Sequence, residues 1–457
     1  MSTSTAATTP VETRTAAPAM GSFGRIGFAS MAAGTLAAAI STFVILPSAS
    51  EGRFVAGALL AFSAGWAIFA SLTTRYTNRP QRWALIPAAA LAVSGAVMAL
   101  LNPGEPAMSR LPWLWAPALV ALGLWIAWRT RRDLPRRGAR LVVYTVAALM
   151  VTAGLGGVFQ VAGGDPKTAA GLVPGRLVDV GGYRLHLHCI GTGAPTVILL
   201  NGLGETSPQW ARVLPSVGGK TRVCAYDRAG QGWSEDSSNA SDATTAANDL
   251  HELLAVAGES GPFVLAGHSS GGVHALTYTH LYPSQVGGLV LLDSASPNQV
   301  KVVTTFNGEY QVMRRVLAAA PTLLRFGVGH MMQALGVPDL PGNAGQQAAA
   351  FADSPRGWAG MRAEQVELPT AFAQSQALST LGERPLVVLT AKANVDSKPG
   401  WATAQDQMAA LSTNSRHTVT DMDHVGFLHH PVGAAQSVAA ITDVITATRT
   451  NGSVIAR

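Results

Sequence analysis

A serine hydroxyl is a poor nucleophile until its backbone presents it and a neighbouring base takes its proton. The serine best placed for that chemistry is Ser269, in Phe263-Val264-Leu265-Ala266-Gly267-His268-Ser269-Ser270-Gly271-Gly272. A short apolar strand runs straight into Gly-x-Ser-x-Gly, and the helical run Val273-His274-Ala275-Leu276-Thr277-Tyr278 comes next. Such a strand–turn–helix thrusts the serine out of a sheet and aims the next backbone amide at developing negative charge. The glycines at 267 and 271 let strand and helix pass closely enough to hold the strained turn. Because the chain has 48 glycines, the bare motif says little. The flanking strand and helix give it weight.

Composition narrows what surrounds this turn. At 457 residues the chain is too long for one ordinary domain. Its net charge of +6 is unevenly spread. Residues 1–167 carry 14 Lys and Arg against 5 Asp and Glu, and the remainder carries 18 against 21. The basic residues sit in short loops between apolar runs, which argues for membrane topology and against a nucleic-acid partner.

Five runs, 26–50, 54–74, 83–104, 111–128 and 141–164, contain no Asp, Glu, Lys, Arg or His and approach the ~20 apolar residues that a spanning helix needs. They predict an all-α transmembrane domain over 26–164, after a disordered tail at 1–25 rich in Thr, Ala and Ser. Arg75, Arg79 and Arg82 follow the second run, and Arg129, Arg131, Arg132, Arg136, Arg137 and Arg140 follow the fourth. The alternate loops hold only Arg53 and Arg110. The positive-inside rule therefore puts the N-terminus in the cytoplasm and everything beyond residue 164 outside. With no Asp, Glu, Lys, Arg or His inside a run, there is no signal for a proton relay. A linker at 165–175 is short enough to keep the C-terminal domain close to the bilayer.

From 176 to 457, apolar runs alternate with helical stretches, the pattern of an α/β domain with a largely parallel sheet. Strands are expected at 176–180, 183–190, 196–200, 222–226, 263–266, 288–292, 385–390 and 416–420, with Gly181-Gly182 as a hairpin turn. A helix is expected over 242–257 with Ser241 as its N-cap, and a closing helix over 431–448. This half resembles the α/β-hydrolase fold family. The resemblance rests on Asn201-Gly202-Leu203-Gly204 after the third strand, Asp227-Arg228-Ala229-Gly230-Gln231-Gly232-Trp233-Ser234 after the fourth, the turn at Ser269 after the fifth, and a late histidine. It covers about 60% of the chain and none of the membrane half.

The resemblance implies a mostly parallel eight-stranded sheet with a helical cap at 294–384, and roles for individual residues. Ser269 becomes the nucleophile. His424, on the loop after the last strand, becomes the general base, whereas His417, His429 and His430 read as structural. The acid is Asp396, six residues beyond Thr390, in preference to Asp293 at the end of the sixth strand. The backbone amides of Leu203 and Ser270 form the oxyanion hole; Asn201 stands where the family usually has histidine, but the donors are main-chain. Asp227 to Ser234 form a structural loop. The implied strand order brings Cys189 and Cys224 side by side, as a disulfide or as two buried thiols. No cofactor or metal is implied.

Together these readings describe a membrane-anchored serine hydrolase acting on carboxylic esters outside the cytoplasm, on a small, lipophilic acyl substrate suited to a cap carrying Met313, Met331, Met332 and Met361. Peptidase, thioesterase and acyl-transfer chemistry fit the same residues. A serine at the turn argues against the dehalogenase and epoxide-hydrolase branches, which use Asp there. The rival from another class is a non-catalytic sensor that keeps the fold to bind a ligand.

Overall fold

Strands covered on both faces need unbroken apolar runs, whereas an edge strand tolerates polar ones. That difference orders the sheet in the computed structural model, which describes residues 22–134, 137–164, 171, 173–329 and 338–454. Strands β1 (Arg176–Asp179), β2 (Arg184–Ile190), β3 (Val197–Leu200), β4 (Val223–Asp227), β5 (Phe263–His268), β6 (Val286–Leu292), β7 (Leu386–Ala391) and β8 (Ser415–Thr420) form one sheet. Its order is β1-β2-β4-β3-β5-β6-β7-β8. β2 runs antiparallel to β1 and β4, and every other pairing is parallel. The all-apolar β3, and β7 with Thr390 as its one polar residue, are buried throughout, and the polar β8 lies at an edge.

Helices cover both faces. Pro431–Thr450 closes one core with Ile441, Val444 and Ile445 against Val264, Val290 and Val387. Ala243–Ala257 closes the other with Leu250, Leu253 and Leu254. Its N-cap is Asp242, whose carboxylate accepts from the Thr245 amide at 2.8 Å, one residue later than the Ser241 that sequence favours. The β1–β2 hairpin turns at Gly181 and Gly182, with φ of 97° and 114°. In the sheet register Cys189 faces Cys224, and the two are joined as a disulfide. Between β6 and β7 the chain builds a cap around Phe306–Leu323 and Pro355–Ser375.

Among the described residues, five long helices, Ser22–Ile40, Glu51–Tyr76, Leu85–Leu101, Pro112–Asp133 and Arg137–Ala162, and the single turn Glu105–Met108 precede the sheet. Among the described residues, four segments are long and apolar enough to cross a membrane: Phe23–Ile45, Glu51–Tyr76, Arg82–Leu101 and Arg140–Ala162. Sequence places a fifth at 111–128, and Pro112–Asp133 does not qualify. Its tryptophans and prolines dilute the apolar content, and its last five residues include Arg129, Arg131, Arg132 and Asp133. Nearly all of the expected tail and most of the linker lie outside the described residues.

The cap rests on the loops at one end of this bundle. Arg325, buried, donates from Nε and Nη2 to the two carboxylate oxygens of Glu51 at 2.9 Å, and Nη2 also donates to Glu105 Oε2 at 2.6 Å. Phe326 meets Trp115 edge-on at 5.1 Å. Arg75, Arg79 and Arg82 lie toward or beyond the far end of the Glu51–Tyr76 helix, whose 26 residues span ~39 Å.

Candidate active site

Ser269 follows β5 with φ of 52°, in the left-handed region, and the helix Gly271–Leu281 begins two residues later. A non-glycine residue there stores strain that its surroundings must hold. They do so through the backbone: Ser269 N–H donates to Leu292 O at 3.2 Å, and Ser269 O accepts from Ala295 N–H at 2.9 Å. A Cβ at Gly267 would sit 2.6 Å from the Gly271 carbonyl, and one at Gly271 would collide with Leu200 O. Both glycines are therefore required by close approach.

His424 stands on the loop after β8, and its Nδ1–H donates to Asp293 Oδ2 at 2.6 Å. Asp293 follows β6 and is fully buried. Its Oδ1 accepts from Ala391 N–H at 3.0 Å and Trp401 Nε1–H at 2.8 Å, and its Oδ2 also accepts from Asn394 Nδ2 at 2.5 Å. Burial alone would raise this carboxyl, but His424 and these donors outweigh it and hold it below the ordinary carboxylate range. Asp396 does not fit the role expected of it. It lies on the surface, paired with Lys392 at 2.7 Å. The reason is one helical turn: β7 runs directly into Lys392–Ser397, which points Asn394 inward and, two residues or ~200° later, turns Asp396 to solvent. His417 bridges Thr390 and Asp406, each at 2.8 Å, and His430 Nδ1 accepts from Val432 N–H at 3.3 Å. Ser269 and His424 are not hydrogen-bonded to each other.

The Leu203 amide, on the loop after β3, and the Ser270 amide, next to Ser269 after β5, donate no hydrogen bond among the described residues. Asn201 is structural: its Nδ2 donates to Tyr226 O at 2.8 Å, and its Oδ1 accepts from Trp210 Nε1–H at 2.7 Å. Sequence reasoning missed a buried pair beside these groups. Glu205 Oε1 lies 2.6 Å from His268 Nδ1, Glu205 Oε2 accepts from Gly202 N–H at 2.5 Å, and His268 Nε2–H donates to His424 O at 2.8 Å. Burial would discharge both partners, yet each holds the other charged: His268 is raised and Glu205 lowered from their ordinary values. The signal was available, since Glu205 is the only acid between β3 and β4 and His268 precedes the serine.

A family model described as alpha/beta hydrolase fold matches residues 195–431, just over half of the 457 residues. The chain belongs to the α/β-hydrolase fold family. Among curated relatives of this α/β-hydrolase, protein YbdG of Bacillus subtilis is 27% identical over 127 residues, which are 27% of this chain and 39% of YbdG. The soluble epoxide hydrolase of Corynebacterium sp. C12 is 32% identical over 127 residues, 28% of this chain and 43% of that one. The 2-hydroxymuconate semialdehyde hydrolase of Pseudomonas sp. CF600 is 31% identical over 151 residues, 31% of this chain and 53% of that one. The match thus spans well under two thirds of each of these relatives. Among solved structures, Cfl2 of Burkholderia cenocepacia aligns with a TM-score of 0.44 at 23% identity, over 58% of this chain and 94% of that one. Such likeness is to the fold alone.

The remaining motif of this α/β-hydrolase ties the site to its cap. Asp227 gathers Ser207 N–H at 2.7 Å, Trp233 N–H at 3.2 Å and His186 at 2.9 Å. Arg228 donates to Asn201 O at 2.6 Å and Gly202 O at 2.9 Å, and pairs with Glu364 of the cap at 2.6 Å. Of the cap methionines, Met361 abuts Gly204, Met313 is exposed, and Met331 and Met332 lie outside the described residues. Cys189, Cys224 and Glu259 form the only grouping of metal-ligating types among the described residues, and their sulfurs are bonded to each other, leaving no thiolate.

Proposed function

We propose that the protein is a membrane-anchored serine hydrolase that cleaves carboxylic esters, with Ser269 as nucleophile, His424 as base and Asp293 as acid. The observation that carries this reading is the buried Asp293 carboxylate 2.6 Å from His424 Nδ1, which leaves Nε2 free as the proton acceptor. Ser269 Oγ attacks the ester carbonyl and its proton passes to His424 Nε2. The tetrahedral oxyanion is held by the Leu203 and Ser270 amides. His424 then protonates the departing alcohol, and a water, deprotonated by His424, attacks the acyl-serine to release the acid and restore Ser269. Asp293 fixes the tautomer and stabilises the imidazolium.

The epoxide-hydrolase relative does not redirect this reading. Epoxide opening through a covalent intermediate needs a carboxylate nucleophile, because water can then attack the enzyme ester; attack by Ser269 would leave an ether with no carbonyl to hydrolyse. An outward-facing hydrolase domain is supported by the arginine-rich loops toward or beyond the far ends of the helices and by the Cys189–Cys224 disulfide, since disulfides persist in oxidising compartments. A fluorophosphonate probe should label the full chain at Ser269, and Ser269→Ala should abolish both labelling and turnover of p-nitrophenyl butyrate. A folded wild-type chain that neither labels nor turns over is a ligand-binding sensor instead.

A further inference from the structure

Buried polar atoms without partners are rare, because each costs the hydrogen bonds that it gave up in water. Several collect around one cavity of this protein. It encloses about 360 Å³ and is walled by β4, by the loop that leads into Ala243–Ala257, by the cap helix Pro355–Ser375 and by Gly104, Glu105 and Pro106 of the helix bundle. On its wall, His274 Nδ1 and Glu105 Oε1 have no hydrogen-bond partner among the described residues, and the Tyr226 hydroxyl, close to Arg228, makes none of ordinary geometry. His274 and Tyr226 are 5% and 1% exposed. A void of about 10 Å³ shares Ser241, His274 and Glu364 with the cavity and reaches Leu203 and Ser270, where the Ser270 hydroxyl is a further unpartnered atom.

The position says which part of a substrate belongs here. His424 must protonate the leaving alcohol, so the alcohol lies on its side of the serine and the acyl group on the other. No residue of the His424 loop lines either void, whereas both oxyanion residues line the smaller one. The chemistry says what kind of group it is. Both arginines on the wall are already engaged, Arg228 with Glu364 and Arg356 with Asp236, while Asp242 and Asp249 add further negative charge. An anion would find no free cation there. Burial, with Arg228 nearby, keeps His274 neutral and therefore able to donate or accept.

We propose that this cavity is the acyl-group site and takes a short, hydroxylated acyl chain that carries no negative charge, with Tyr226 and His274 hydrogen-bonding the hydroxyl and the Gly104–Pro106 turn of the helix bundle closing the wall. This deepens the serine-hydrolase reading and rests on it. It replaces the lipophilic acyl group that the cap methionines led sequence analysis to expect.

The test compares two esters of equal size in the full chain: p-nitrophenyl 3-hydroxybutyrate and p-nitrophenyl 3-methylbutyrate, which differ by a hydroxyl in place of a methyl. The expected kcat/KM ratio is about tenfold in favour of the hydroxy ester, the worth of one buried hydrogen bond. Tyr226→Phe and His274→Phe should each pull that ratio severalfold toward one, and because it is taken within each protein, a loss of folded material does not mimic the effect. A wild-type ratio of one or below, as expected if the cavity holds only water, overturns the proposal. A second measurement separates it from the serine-hydrolase reading: calorimetric binding of 3-hydroxybutyramide and 3-methylbutyramide to full-length Ser269→Ala. Tighter binding of the hydroxyamide, even if no ester is ever turned over, upholds the cavity's chemistry; equal binding, or none, refutes it.

Discussion

Replacing Asp293 by asparagine tests the centre of the site with one atom. The carboxylate accepts from four donors: His424 Nδ1, Asn394 Nδ2, Trp401 Nε1 and the Ala391 amide. An asparagine keeps one acceptor oxygen and presents an NH₂ where donors already converge. If the oxygen stays with Trp401 and Ala391, the NH₂ faces His424 Nδ1 and forces the proton to Nε2, where it can no longer take one from Ser269. Such a tautomer switch costs ~10⁴ in kcat in the serine-protease example, or ~5.4 kcal/mol at 1.36 kcal/mol per decade. The clash with Asn394 adds ~1–3 kcal/mol to the cost of folding. Because Asp293 is held below its ordinary value, its contribution to stability is present above the unfolded value near 3.9 and is lost only as pH falls through the lower folded one. The assay is p-nitrophenyl butyrate turnover at pH 7, with melting followed in parallel. Asp396→Asn is the control; it removes an exposed i,i+4 pair with Lys392 and should change turnover less than twofold. If Asp293→Asn keeps more than a tenth of wild-type activity, or Asp396→Asn loses a hundredfold, the assignment of the acid is wrong.

Other consequences are open to measurement. Arg325→Met strands Glu51 and Glu105 without their cation, so about 3–5 kcal/mol of cap docking should be lost, seen as faster limited proteolysis within 306–328. Burial pushes the Glu105 carboxyl up to about 7 against the pull of Arg325, with Glu51 and Asp236 also facing it. A raised carboxyl favours the folded state below its unfolded value and loses that advantage as pH climbs to 7, so the melting temperature of Glu105→Gln should gain on wild type between pH 5 and 7.5. Protease added to intact cells should cut the hydrolase domain; protection until lysis would reverse the orientation drawn from the arginine loops.

The sheet was legible because its rules are local. Alternation and apolar runs place the strands, and Gly267 and Gly271 mark the turn at Ser269 wherever the partners lie. The choice of acid was not legible. Asp293 and Asp396 both follow strand ends, and only the phase of Lys392–Ser397, fixed by where β7 stops, decides which one meets His424. The Glu205–His268 pair joins a loop to a strand end far along the chain, and no periodicity links them. Charge-free runs suggested five spans, but they do not register how much tryptophan and proline dilute Pro112–Asp133. Nor could they show that Glu51 and Glu105, at the starts of two separate helices, converge on one arginine of the cap.

That convergence changes what the cap can do. In a free-standing hydrolase a lid swings against its own sheet and nothing else. Here Arg325 grips the start of Glu51–Tyr76 and the turn at Glu105, so any outward movement of the cap would pull on a bundle whose helices are long and apolar enough to cross a membrane. If those helices span a bilayer as proposed, opening the site would perform work on it, and the bilayer could return that work. On that reading a thinner or more laterally compressed membrane that tilts those helices would shift the resting position of the cap, and the mechanical state of the lipid would become an input to turnover.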